Sequence, residues 1–332
     1  MKAEIWRVNN NGSPYVQYSG HPVFNDFAFA VSSAASDDTI YVEASPVSYT
    51  TGSGVHVDKK LIIIGPGYFL DGSTGNANMQ ANPNTALIMD IYFDPGSENS
   101  VISGVQIGTG AGILHIRASN ITVKRNYFMG RLSIDNSTAI SNILVTQNYF
   151  SAQDIIHGAS MASVSSSIIS NNYFGAGMLL INNFQGVITQ NVFVHGAIDF
   201  WGVEFYNNIV SNPTSNLVAN NNDTLNIHNN VFTYAAPSFL PSPNSNTFSF
   251  PSTNIFQTGS STDDNLHLDP LCTQCLPTGS FGYQMGVYGG APGSEYRLSG
   301  IPEVPSIYQL YASPNILKGD TIQVTIHTRS NN

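Results

Sequence analysis

His195, Asp199, Trp201 and Glu204 place two acids, an imidazole and an indole within a ten-residue stretch. Such groups bind and cut sugars. An indole stacks on a pyranose face, one carboxyl protonates the leaving oxygen, and a second acts as nucleophile or activates water. Asp199 and Glu204 are therefore the candidate catalytic pair, with His195 and Trp201 as ligand contacts. The plainer reading is a Trp packed at a corner among solvated acids. Asp135 and His157 make a second candidate ligand-binding pair, because each stands nine residues after a recurring Asn (Asn126 and Asn148). If those Asn residues stack, the two side chains are neighbours about 4.8 Å apart. Asp135 and Asp199 would then be three strand spacings apart, roughly 14 Å, too far for a carboxylate dyad.

Cys272 and Cys275 are the only cysteines. A lone Cys-x-x-Cys closes a small disulfide loop, remains two thiols, or supplies half a zinc site that His267 and Asp269 complete. Asp263, Asp264 and Asp269 could offer oxygens to Ca²⁺, although an Asp-rich turn is ordinary. No other metal or cofactor site is expected. Lys124, Arg125 and Arg131 form a small basic spot, or simply fill outward strand positions. Four Asn-x-Ser/Thr sequons begin at Asn11, Asn120, Asn136 and Asn222, and in so Asn-rich a chain they read as chance.

The elements that must position these residues come from a repeat. Apolar alternation ending in Asn, an aromatic or branched residue and an apolar residue recurs as Ile121–Phe128, Ile143–Phe150, Ser167–Phe174 and Gly186–Phe193, then more weakly as Glu204–Val210 and Leu225–Phe232. Its Asn residues are Asn126, Asn148, Asn172, Asn191, Asn208 and Asn230, spaced by 17 to 24 residues. Leu61–Phe69 and Val101–Ile107 look like degenerate copies. Period-2 alternation in units of this length fits the coils of a parallel β-helix, an all-β solenoid. The Asn residues would sit at a corner in the left-handed region and bond to one another as a ladder, with Phe128, Phe150, Phe174 and Phe193 stacked inside.

The ends complete the reading. Asp26–Ser36 reads as a short amphipathic helix capping the first coil, and Thr39–Glu43 as its first strand. Residues from about 235 to 262 read as loop, and Ser306–Leu310 and Thr321–His327 as two tail strands that cap the chain or pair with a neighbour. The organisation is thus a β-helix over 1–270, with a cap at about 1–37 and coils at about 38–235, followed by a tail over 271–332.

Composition narrows the function. The net charge is −10 and only 11 Lys and Arg are spread over 332 residues, which opposes nucleic-acid binding. A charged fraction of 10% is far below the usual quarter, so Asn, Ser, Thr and Gly supply the polarity. No apolar run reaches the roughly 18 residues of a membrane helix. The first residues do not read as a signal peptide, which suggests a mature chain with a start Met restored.

Gly286–Gly290, Tyr296–Pro302 and Val304–Tyr308 in the tail, with the repeats and the phrases Ile5–Asn11, Asp38–Glu43 and Ile64–Phe69, resemble a family of secreted bacterial right-handed β-helix proteins of the pectin-lyase-like class. The resemblance covers nearly the whole chain. It departs at Cys272–Cys275, where relatives usually carry a short Ser-Pro-Ala stretch. The resemblance implies a right-handed helix, secretion or cell-surface location, and mostly no established activity. Enzymes on this fold cleave polysaccharides, but their double-Asp, Gly-His-Gly and calcium-cluster signatures are missing from the repeats. Weighed together, the chain reads as a non-catalytic adhesive or structural protein that binds glycans or assembles end to end. A polysaccharide lyase or glycoside hydrolase is the alternative, and a filament subunit the third.

Overall fold

The computed structural model describes residues 3–331 except 12–22, 51–53, 73–74, 78, 152–154, 158–160, 176–177, 181–182, 197, 201, 212–216, 220–225, 239, 241–244, 258–261, 277–281 and 313–320. The chain is mostly sheet. Its described strands form three long parallel sheets, one of 12 strands and two of 8, plus an antiparallel pair in the tail. Successive repeats give one strand to each long sheet in turn. In one repeat Thr122–Lys124 joins the 12-stranded sheet I, Tyr127–Phe128 joins sheet II and Arg131–Ile134 joins sheet III. The next repeat lies beside it in register, pairing Val123 with Val145, Tyr127 with Tyr149 and Leu132 with Ile155.

Alternation explains the core. In sheet III the strands Ile91–Phe93 and Ile113–Ile116 bury every second residue and turn Tyr92 and His115 outward. Buried residues of all three sheets, among them Ile102, Ile107 and Leu114, belong to one apolar cluster. Phe128, Phe150, Phe174 and Phe193 stack in it with centroid spacings of 4.4, 4.8 and 4.7 Å.

Between sheets I and II the Asn side chains form a buried ladder. Asn126 donates through Nδ2 to Asn148 Oδ1 at 3.2 Å, and the same bond joins Asn148 to Asn172, Asn172 to Asn191, Asn191 to Asn208 and Asn208 to Asn230 at 3.0 to 3.1 Å. Asn230 then donates to Asn246, a rung that the repeat pattern had not revealed. The expected backbone assignment is corrected by one position. The left-handed residues are Arg125, Gln147, Asn171, Gln190, Asn207, Asn229 and Ser245, each immediately before a rung. The turn bends at the preceding residue, so the rung itself points inward with both its backbone N–H and its amide aimed at the next Asn.

At the N-terminal end the single α-helix among the described residues, Phe27–Ser33, starts at Asp26, whose carboxylate accepts from Phe29 N at 2.8 Å. It buries Phe27, Ala30 and Val31 against the core. Sheet I continues beyond Thr39–Val42 into Ile5–Val8 and the short edge strand Val23–Phe24. A two-residue edge offers little template for pairing.

The tail is a working part of the fold. It runs back along the outer face of sheet II, opposite to the order of the repeats. Gly286 N donates to Asn207 O, Asn171 Nδ2 to Val287 O and Gly289 O, Gln147 Nε2 to Ser294 O and Glu295 O, and Arg125 Nη1 to Ile301 O. A second apolar cluster fills the seam, combining Val192, Ile209 and Val231 of sheet II with Ile255, Leu266, Cys272, Cys275, Met285 and Tyr296. Beyond it Ser306–Ala312 and Val324–Arg329 pair as an antiparallel ribbon beside the loop at residues 79–81.

Candidate functional site

The outer face of sheet III carries two adjoining rows of functional groups. His56, Tyr92, His115 and Ser133 lie in one row across four strands. The rings of His56 and Tyr92 stack at 4.4 Å and 5°, and those of Tyr92 and His115 at 4.1 Å and 6°. Two residues further along each strand, Asp94, Arg117 and Asp135 form a second row. Arg117 donates through Nη1 to Asp94 at 3.2 Å and through Nη2 to Asp135 at 2.8 Å, with its guanidinium 4.7 Å from the Tyr92 centroid. His56 Nδ1 lies 2.6 Å from Asp94, and His115 Nδ1 3.0 Å from Asp135.

Electrostatics decide what these acids can do. Burial raises the Asp135 carboxyl, but hydrogen bonds from His115 and Arg117 outweigh it and hold the group below the usual carboxylate range. Burial alone would weaken the Arg117 cation, yet its bonds to Asp135 and Asp94 strengthen it. A general acid needs the opposite shift. Asp135 Oδ2 is taken by Arg117 and His115, while Oδ1 is buried without a partner among the described residues.

The other candidates separate. In the strand register His157 stands opposite Ile134, one place short of Asp135, and its side chain lies outside the described residues. The strand reaches its first paired residue four positions after Phe128 but five after Phe150, and the extra residue shifts His157 along its strand. Asp199 lies on sheet III and Glu204 on sheet I. Glu204 is exposed and pairs with His228 at 3.3 Å. Burial raises the Asp199 carboxyl, whose Oδ1 is buried without a partner among the described residues. His195 is exposed, and Trp201 lies outside the described residues. Arg125 is not part of an outward basic spot: it is buried, and it donates to Gln147, Ile301 and Glu303.

Cys272 and Cys275 form a disulfide and are fully buried, which removes them as zinc ligands. The three acids expected as calcium ligands do not converge. Asp263 is buried and accepts from Asn76, Tyr296 and Ser299 N at 2.6, 3.0 and 2.6 Å; Asp264 lies 3.6 Å from His267; Asp269 accepts from Leu271 N. Among the described residues no three His, Cys, Asp or Glu are grouped to hold a metal, and no helix is long and apolar enough to cross a membrane.

His56, Tyr92, Asp94, His115 and Arg117 escaped the reading from sequence. Their signal was available: Val-His-Val-Asp, Ile-Tyr-Phe-Asp, Leu-His-Ile-Arg and Leu-Ser-Ile-Asp alternate alike at 55–58, 91–94, 114–117 and 132–135. The first three fall outside the Asn-based repeat, so nothing aligned them. No family model, curated protein or solved structure matches the chain.

Proposed function

We propose that this is a secreted, non-catalytic right-handed parallel β-helix of the pectin-lyase-like class, binding a polysaccharide along the outer face of sheet III. The one-strand-per-sheet repeats, the common core and the Asn ladder support the helix. The buried disulfide fits an oxidising compartment. The observation that carries the binding reading is the ion-paired row Asp94–Arg117–Asp135 beside the stacked rings. It gives fixed donors and acceptors on a face along which an extended polymer can lie. The same pairing argues against cleavage by Asp135, because an acid held ionised by His115 and Arg117 cannot protonate a leaving oxygen.

Retention in gels containing neutral and acidic polysaccharides tests this reading. One polymer should retard the protein, Arg117→Ala with Tyr92→Ala should abolish the retardation, and no reducing ends or unsaturated products should form. Products formed at a rate sensitive to Asp199→Ala would instead establish the lyase or hydrolase.

End-to-end assembly is the second reading, favoured by the tail ribbon, where Leu310, Val324 and Ile326 are 51 to 54% exposed. Light scattering over a concentration series decides it. A mass that grows with concentration in the parent and not in Leu310→Glu supports assembly; a strict monomer excludes it.

A further inference from the structure

Where the tail returns to the N-terminal end, three distant pieces of chain enclose a groove of about 420 Å³. Its floor is the outer face of sheet I at Arg7, Asn9, Tyr41 and Glu43, one wall is the loop at Asn82, and the other is the tail strand at Leu310. We infer that this groove binds an uncharged mono- or disaccharide. The inference does not rest on the sheet III reading.

The size suits one or two sugar rings, within the roughly 300–1,000 Å³ of small-molecule sites. The chemistry selects among ligands of that size. Arg7 Nε donates to Glu43 Oε1 at 2.6 Å and Nη2 faces the same oxygen, which among the described residues leaves the Nη1 hydrogens for a ligand. Asn9 Nδ2 donates to Glu43 Oε2 at 2.6 Å, so the carboxylate is fixed in orientation. Asn82 accepts through Oδ1 from Asn84 N at 3.1 Å, and its own amide hydrogens are left over. A hydrocarbon ligand would strip water from these groups and offer nothing in return. An anion would compete with Glu43 for Arg7, and a cation with Arg7 for Glu43. A polyol satisfies both kinds of group at once, because each hydroxyl donates and accepts. The Tyr41 ring and the 54%-exposed Leu310 supply apolar surface for the C–H face of a pyranose.

The test is saturation-transfer NMR followed by calorimetric titration of the full chain with cellobiose, maltose, lactose and chitobiose, and with digalacturonate as the charged comparison. At least one neutral disaccharide should bind with a Kd near about 1 mM, unchanged between about 50 and 500 mM salt. Arg7→Ala and Leu310→Ala, both at exposed side chains, should each weaken it about tenfold or more. Tyr92→Ala on sheet III should leave it unchanged. Failure of all four neutral sugars to bind, tighter binding of digalacturonate, survival of binding in both groove variants, or its loss in Tyr92→Ala would each overturn the proposal.

Discussion

Sheets II and III are built from the same repeats, yet their outer faces have opposite fates. Sheet II turns Tyr127, Tyr149, Tyr173, Val192, Ile209 and Val231 outward, into a cluster that Tyr68 and Phe69 complete over the first two tyrosines and that also holds the tail residues Cys272, Cys275, Met285 and Tyr296. Sheet III turns out His56, Tyr92, His115 and Ser133, and there the His56 side chain is 58% exposed. The difference lies in what each row can do alone. Aromatic and branched side chains in a row demand burial, so sheet II needs a lid; ion pairs and imidazoles tolerate water, so sheet III is free to meet a partner.

Removing the lid should break this comparison most severely. A chain ending at residue 262 exposes the apolar row of sheet II. Each fully uncovered large side chain costs about 1.5–3 kcal/mol, so the sum rivals a domain's whole stability of about 5–15 kcal/mol. The expected outcome is insoluble protein, or soluble protein that binds a hydrophobic dye strongly. Unchanged solubility and melting would show that the tail is a passenger.

Next come the two ladders that flank the corner between sheets I and II. Asn172→Ala deletes a fully buried side chain whose amide bonds to Val145 O, Ser170 O and Asn191, and should cost about 4 kcal/mol. Asn171→Gly, one residue away, keeps the left-handed turn, releases only two tail carbonyls and should cost about 1–2 kcal/mol. Urea midpoints at constant slope measure both. Equal losses would mean that the inner ladder has no special weight.

Arg125→Met should fall between them, at about 2–3 kcal/mol, because Arg125 joins the outer ladder to Ile301 and Glu303 from a buried position. High salt should change its effect little, since its side chain is only 3% exposed.

The smallest effect concerns the lid's latch, Asp263. Burial raises its carboxyl, against hydrogen bonds from Asn76, Ser299 N and Tyr296 that pull the other way. A raised folded value means that the protonated form favours folding. That stability is complete below the unfolded value of about 3.9 and is lost as pH rises through the folded value. Asp263→Asn should remove this loss, so the difference in melting temperature between variant and parent should shift in the variant's favour as pH rises across that window. A shift in the other direction would mean that the hydrogen bonds prevail over burial.

Much of the architecture was legible because it is periodic. The Asn rungs, the Phe stack, the capping helix and both tail strands leave local patterns, and each Asn rung from Asn126 to Asn230 bonds to the next Asn, so the same residue recurs. The outer ladder leaves no such mark. Arg125, Gln147 and Asn171 differ in type because their partners are tail carbonyls more than a hundred residues away. The sheet III site was hidden for a related reason: its first strands precede the recognisable repeat, and only strand register brings them beside Asp135. One inserted residue was enough to move His157 out of register with that acid. Sequence alone thus determined the period, the inward faces and the buried rungs, because those follow from alternation and self-stacking. Which outward rows meet, which face the tail covers, and where three segments close a groove were decided by tertiary structure, because those contacts join residues with no shared local pattern.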